Sequence, residues 1–232
     1  MPTTEKMEKL KRDLAAMAEM VERMVDSAVM SLVDRNADLA REIDRYDAEV
    51  DEMEISVDKQ CIHLLQIEHP QSENFRFVIA AMKINNDLER MGDLSALICQ
   101  RVLQLVRKRS IMKNKLDYSA MMEATCRMVR DSIQSLLDKD ARLAIDVWNR
   151  DEFVNEELQK IVSYILKEMK KDPNRVERGH WLIGATHALE RIADQATNIA
   201  EEVVYMLEGR IIKHSRPEDD HTASKRMSAA SN

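Results

Sequence analysis

The chain has 232 residues and is 33% charged, but it contains only four glycines and four prolines, so its elements must be long. The formal net charge of −7 argues against a nucleic-acid-binding protein, which would need a basic surface. No apolar run approaches the length of a membrane span and no signal peptide is evident. We therefore expect a cytoplasmic protein that meets a membrane only through its partners.

Apolar residues recur three and four positions apart along most of the chain, which predicts six long helices. The expected ranges are 4–35, 38–67, 72–107, 118–139, 141–171 and 174–213. Pro70 and Pro173 mark the corners before the third and sixth helices, because proline begins a helix well and continues one poorly. The residues after 213 are polar, small or charged, and we expect them to be disordered.

The second half of the chain repeats the first. The sequence LERMGD at Leu88–Asp93 returns 101 positions later as LERIAD at Leu189–Asp194, and Ser31–Ala37 matches Ser135–Ala141 at an offset of 104. Short corners join three helices in each copy, so we predict an all-α fold of two tandem three-helix bundles related by a pseudo-twofold axis. The predicted divisions of the chain are a first repeat at 1–110, a second repeat at 111–213 and a polar tail at 214–232.

Each copy of the motif places a Glu and an Asp four residues apart, at Glu89 and Asp93 and again at Glu190 and Asp194. Residues four apart share one face of an α-helix, where two carboxylates repel each other. The repetition of an unfavourable pair suggests that a positive group, either a cation or an arginine, offsets the repulsion.

The second helix carries an acidic row of its own, and the fifth helix retains part of it. The row is Asp47, Asp51, Glu54 and Asp58, and its equivalents are Asp151, Asn155, Leu158 and Val162. If the second and third helices are antiparallel, their acidic rows face each other across a groove and cannot all stay ionised without a cation. Oxygen ligands favour Mg²⁺, Ca²⁺, Mn²⁺ or iron. The alternative is a pair of solvated acidic faces neutralised by arginines such as Arg90 and Arg191.

Motifs for covalent catalysis are missing, since there is no Gly-rich phosphate loop, no G-x-S-x-G elbow and no H-E-x-x-H. A ferritin-like di-iron centre needs Glu-x-x-His on two helices, and the sequence has only the reverse order at His187 and Glu190. We therefore expect a protein that is not an enzyme. An iron-storage protein or oxidase and a metal-free helical scaffold remain the two alternatives.

Two three-helix repeats that each carry L-E-R-[IMV]-[GA]-D late in the third helix resemble the PhoU family of phosphate-transport regulators. Asn198–Glu201 and Val203–Gly209 extend the likeness beyond the second motif. The resemblance implies a cytoplasmic negative regulator of the phosphate-starvation response. In this role the protein would couple a phosphate ABC transporter, through its ATPase subunit, to a sensor histidine kinase. It also implies a homodimer.

The same resemblance implies carboxylate metal sites, with the identity of the ion open among Mg, Mn, Fe, Ca and Zn. The implied ligands are Asp47, Asp51, Glu89 and Asp93 in the first repeat, and Asp151, Glu190 and Asp194 in the second. This chain departs from the family pattern at Asn155, where an acid would complete a fourth pair. An amide oxygen can ligate a cation but brings no charge, so the first site is the stronger prediction.

Overall fold

The computed structural model describes residues 3–67, 73–107 and 117–212, and these residues are almost entirely helical. The elements are α1 (Thr3–Asp34), α2 (Ala37–Leu65), α3 (Glu73–Val106), α4 (Ser119–Asp138), α5 (Ala141–Asn149), α6 (Asp151–Lys171), a 3-10 turn (Pro173–Arg175) and α7 (Val176–Glu208). The predicted all-α fold is confirmed. The corner at Pro70 and the predicted tail at 214–232 lie outside the described residues.

Matched corners begin the second helix of each repeat. Asn36 caps α2 because its side-chain oxygen accepts two backbone N–H groups, and Asp140 caps α5 in the same way. The preceding residues, Arg35 and Lys139, both adopt the left-handed conformation, with φ of 51° and 55°. The two corners are 104 positions apart in the chain, so the repeated sequence produces a repeated backbone.

The predicted fifth helix is interrupted at Arg150 and becomes α5 and α6. The Arg150 N–H bonds to the carbonyl of Val147, which is a three-residue step in place of the four-residue step of an α-helix. The Arg150 guanidinium forms ion pairs with Asp131 of α4 and Asp146 of α5. No glycine or proline stands at this position, so low helix propensity does not explain the break. We attribute it to the contact of Arg150 with α4.

The sixth predicted helix, α7 in the structure, ends five residues earlier than the sequence suggested. Gly209 follows Glu208 with φ of 68°, and its N–H bonds to the carbonyl of Tyr205. A glycine in the left-handed conformation is the commonest helix terminator, because it has no Cβ to oppose positive φ.

The two motif helices, α3 and α7, make the most extensive helix–helix contact and lie at the centre of the molecule. Lys83 pairs with Glu202, with 3.0 Å between Nζ and Oε1. Arg101 Nε stands 3.3 Å from the position that a Cβ on Gly184 would take. At the offset of 101, Lys83 corresponds to Gly184 and Arg101 corresponds to Glu202, so the two contacts are equivalent. This equivalence is the signature of the expected pseudo-twofold axis.

The apolar residues of both repeats form one continuous core. Leu88 and Leu189, the first residues of the two motif copies, are fully buried. Their burial anchors each motif helix and leaves the Glu and Asp of the motif at the flank of the core. Within residues 3–67, 73–107 and 117–212, no helix combines the length and the apolar character that crossing a membrane requires.

Candidate metal sites

The antiparallel packing of α2 and α3 brings the two acidic rows of the first repeat together. Asn85 Nδ2 of α3 donates to the backbone carbonyl of Glu54 at 3.0 Å. Two turns further on, Gly92 lies beside Asp47, whose Oδ1 would be 3.8 Å from a Cβ at the glycine. Glu89 lies between these two contacts and therefore faces the acidic row of α2.

We call Asp47, Asp51, Glu89 and Asp93 the first cluster. A groove of about 670 Å³ opens beside it, between the two repeats. The polar residues that line the groove are Asp47, Asn86, Glu89, Arg90, Asp93, Gln100, Arg191 and Gln195. Burial is the main cause that raises the pKa of Glu89, and the charges of Asp93, Asp51 and Glu54 raise it further, against the opposing charge of Arg90. The acidic side chains are thus close enough to act on one another.

We call Asp151, Glu190 and Asp194 the second cluster. Asp151 begins α6 and faces α7, where the side chains of Asp151 and Asp194 are hydrogen-bonded to each other. Such a bond needs one shared proton, so it also contributes to the raised pKa of Asp194. Burial, followed by the charges of Glu190 and Asp151, raises the pKa of Asp194 to about 6. Burial is also the main cause that raises the pKa of Asp151 and of Glu190.

Asn155 has a definite role in the second cluster, since its Nδ2 donates to Asp151 Oδ2 at 2.9 Å. This hydrogen bond favours the ionised form of Asp151 and opposes the effect of burial on its pKa. The amide therefore stabilises a neighbouring carboxylate at the position where an acid would complete a fourth pair.

The donor atoms suit a hard cation, but their present positions do not converge on one point. Among the described residues, no three His, Cys, Asp or Glu side chains lie close enough together to hold a metal ion. Gln195 Oε1 is a buried oxygen in the first groove, and it has no hydrogen-bond partner within the described part of the chain. The first groove thus offers carboxylate and amide oxygens, which Mg²⁺, Mn²⁺ and Ca²⁺ accept. Binding would require the side chains to rotate, and the metal sites stay predictions.

Two contributors to the first groove were missed by sequence reasoning. Gln195 follows the second motif directly, and Gln100 lies beyond the first motif on α3. The signal for Gln195 is its position next to Asp194, but its place in the groove of the other repeat depends on how α3 and α7 cross. Helical spacing within one element cannot show that crossing.

Comparisons with known proteins agree with this architecture. The family model of the PhoU domain matches the chain twice, at residues 14–102 and 118–203. The chain belongs to the PhoU family. This is a family of regulatory accessory proteins rather than enzymes, which confirms the expectation drawn from the missing catalytic motifs.

Several PhoU relatives extend over most of the chain. A phosphate-specific transport system accessory protein PhoU homologue of Pseudomonas putida is 30% identical over 208 residues, which cover 90% of this chain and 81% of the relative. A homologue of the same name from Aquifex aeolicus is 31% identical over 208 residues, covering 90% and 94%. The crystal structure of PhoU from Pseudomonas aeruginosa matches with a TM-score of 0.86 at 29% identity, covering 90% of this chain and 100% of that one. PhoU from Streptococcus pneumoniae, at 24% identity and a TM-score of 0.82, supports the fold alone.

Proposed function

We propose that this PhoU-family protein is a cytoplasmic accessory regulator of a phosphate-specific transport system that represses the phosphate-starvation response when phosphate is plentiful. The observation that carries this proposal is the double match to the PhoU domain, one match in each three-helix repeat. The names of the relatives from Pseudomonas putida and Aquifex aeolicus support it.

The protein acts through its surfaces, by contact with the ATPase subunit of the transporter and with a sensor histidine kinase, and as a homodimer. A bundle of long helices with a single shared core suits this role, because it holds its charged outer faces in fixed positions. Crosslinking in cells at high and low phosphate, followed by identification of the captured proteins, tests the partners. Capture of neither the ATPase subunit nor a histidine kinase would count against this part of the proposal.

The two clusters are the proposed cation sites. Asp47, Asp51, Glu89 and Asp93 hold the ion in the first repeat, and Asp151, Glu190 and Asp194 hold it in the second. A divalent cation there supplies positive charge that offsets carboxylate repulsion. The raised pKa of Glu89 and of Asp194 supports this assignment, because burial and like charges disfavour their ionised forms.

Deletion of the gene tests the regulatory role. We expect phosphate-scavenging genes to be expressed in phosphate-rich medium without the protein and to be silenced when the wild-type gene is restored. Unchanged expression in the deletion strain would remove the proposal. Complementation with Glu89→Gln/Asp93→Asn then shows whether regulation needs the first cluster.

Elemental analysis of protein purified without chelator separates the metal-binding regulator from a metal-free scaffold. An assay of Fe²⁺ oxidation under air addresses the iron-oxidase alternative, and we expect no turnover above that of free iron.

A further inference from the structure

Arg178 is a buried arginine whose side chain has no acceptor. It lies in the first turn of α7 and is 3% exposed. Its Nε, Nη1 and Nη2 atoms are all buried, and none has a hydrogen-bond partner among the described residues. A buried charge without a partner is strongly unfavourable, so its presence needs a physical reason.

A second arginine, Arg35, acts on Arg178 through its positive charge. Arg35, in the left-handed corner between α1 and α2, lowers the pKa of Arg178, although burial is the larger cause. Arg35 also acts on Tyr118, whose hydroxyl lies 3.2 Å from Thr186 Oγ1 of α7. The causes that lower the pKa of Arg178 are its burial and then the positive charge of Arg35. The two guanidinium groups therefore act on each other, Arg35 also acts on the Tyr118 phenol, and the buried nitrogens of Arg178 have no hydrogen-bond acceptor among the described residues.

The pseudo-twofold axis provides an internal comparison. The offsets of the repeat make Phe77 the equivalent of Arg178 and Lys139 the equivalent of Arg35. At that end of the molecule the Nζ of Lys11 lies 5.8 Å from the centroid of the Phe77 ring, and Lys139 lines the same cavity of about 80 Å³. An aromatic face attracts a cation, so the Phe77 end needs no anion. At the other end of the molecule, Arg178 takes the place of the Phe77 ring and adds a second positive charge to that of Arg35. An anion would therefore stabilise the Arg178 end.

We propose that Arg178 and Arg35 bind a small tetrahedral oxyanion such as inorganic phosphate, between the α1–α2 corner and the first turn of α7. A guanidinium presents its N–H groups as a planar fork that matches a pair of phosphate oxygens. Two fixed positive charges favour a doubly charged anion over chloride, and the partial positive charge of the helix N-terminus adds to this preference. Because Arg178 is almost fully buried, we expect the anion to be a small free ion rather than a phosphate group carried by a lipid or a peptide.

Thermal unfolding of the purified full-length protein tests the site without any partner, so its outcome is independent of the proposed regulatory function. We expect the Tm to rise with phosphate concentration, by roughly 5–10 °C at a hundredfold excess over the Kd. Sulfate should act in the same direction because it shares the shape and the charge. Sodium chloride of equal ionic strength should give no such rise, and an identical Tm in phosphate and chloride would overturn the proposal.

Substitutions locate the effect. Arg178→Leu removes the unpaired charge, so we expect a higher Tm without phosphate and no further rise with it. Arg35→Gln should weaken phosphate binding about tenfold or more in a calorimetric titration, because it removes one charged donor group. Lys139→Gln is the matched control from the other repeat and should bind phosphate as the wild type does.

Retention of the phosphate-dependent rise by Arg178→Leu would refute the site. If that variant fails to fold, the titration of Arg35→Gln decides, and an affinity equal to that of the wild type would refute the site in the same way.

Discussion

The two clusters arise from one repeated motif, yet their surroundings differ. In the first, Asp51 and Asp93 are exposed and Glu89 lines an open groove. In the second, Asp194 is only partly exposed, is hydrogen-bonded to Asp151, and has its pKa raised to about 6. The motif therefore determines where the acids are, while the packing of the neighbouring helix determines how strongly their ionised forms are disfavoured.

The difference has a structural origin at the start of α6. Asp47 lies inside the continuous helix α2, whereas its equivalent Asp151 is the first residue of α6, directly after the break at Arg150. The sequence favours the first cluster as the stronger cation site, because it has one more carboxylate. The structure shows that burial and neighbouring charges raise the pKa of Asp194 in the second cluster to about 6, and a cation would offset this cost of ionisation.

Removing the negative charges of each cluster in turn should show the difference between the two clusters most clearly. At neutral pH and without metal, Glu190→Gln/Asp194→Asn should raise the free energy of unfolding by roughly 2–3 kcal/mol, because it removes two carboxylates that are disfavoured in the folded state. The asparagine at position 194 can still donate a hydrogen bond to Asp151. Urea unfolding with chelator present measures the change.

The matched variant Glu89→Gln/Asp93→Asn should change the free energy of unfolding by less than about 1 kcal/mol, since the carboxylates of the first cluster are better solvated. Both variants should lose bound divalent metal and keep their helical circular dichroism. Equal gains in stability from the two variants would contradict the distinction between the clusters.

The pH dependence of stability should report Asp194. Its pKa lies near 3.8 when unperturbed and at about 6 in the folded protein. Between these values the folded state binds more protons than the unfolded chain, so stability without metal falls as pH rises through this window. We expect a loss on the order of 2 kcal/mol between about pH 4 and pH 7 from this group.

Asp194→Asn should abolish that part of the pH profile, while Asp93→Asn should leave it in place. A bound divalent cation stabilises the ionised form, so metal should also flatten the profile and should bind more tightly as the pH rises through 6. The idea fails if chelated wild-type protein and chelated Asp194→Asn show the same slope.

Exchanging the residues that differ between the clusters gives a smaller effect. Asn155→Asp restores the fourth acid and removes the hydrogen bond to Asp151, so we expect a loss of about 1 kcal/mol without metal. Affinity for a divalent cation should rise about tenfold, because one more charged oxygen is available. Asp51→Asn is the reciprocal change and should weaken metal binding at the first cluster. Metal titration of both variants measures these affinities. We expect a higher affinity for Asn155→Asp and a lower affinity for Asp51→Asn than for the wild type.

Much of the fold could be predicted from the sequence, because helical spacing and the repeat reflect local rules. The capped corners at Asn36 and Asp140 follow from residue type and position. The break at Arg150 could not be predicted, since no glycine or proline signals it and the arginine pairs with Asp131 on another helix. Such a contact exists only after the chain has folded.

The acidic residues of the candidate sites were identifiable for the same reason, as members of helical rows. The raised pKa of Asp194 could not be predicted, because it depends on the burial of this side chain in the folded protein. Arg178 drew no attention in the sequence either. It shares the buried face of α7 with Leu182 and Leu189, and an arginine at a position in this otherwise apolar row is the signal by which the sequence could have shown it.

The last difference between the repeats is the glycine of LERMGD, since Gly92 is replaced by Ala193 in LERIAD. A Cβ at Gly92 would meet Val50 at 3.5 Å and Met24 at 3.6 Å, which are ordinary van der Waals contacts. Gly92→Ala should therefore stabilise the protein by about 0.5–1 kcal/mol through helix propensity, with an unchanged slope in urea unfolding and unchanged metal content. Gly179→Ala is the contrasting control, because a Cβ there would overlap Met169 and should be destabilising. Destabilisation by Gly92→Ala would instead show that the first cluster needs the close approach of α2 and α3, which its counterpart in the second repeat does without.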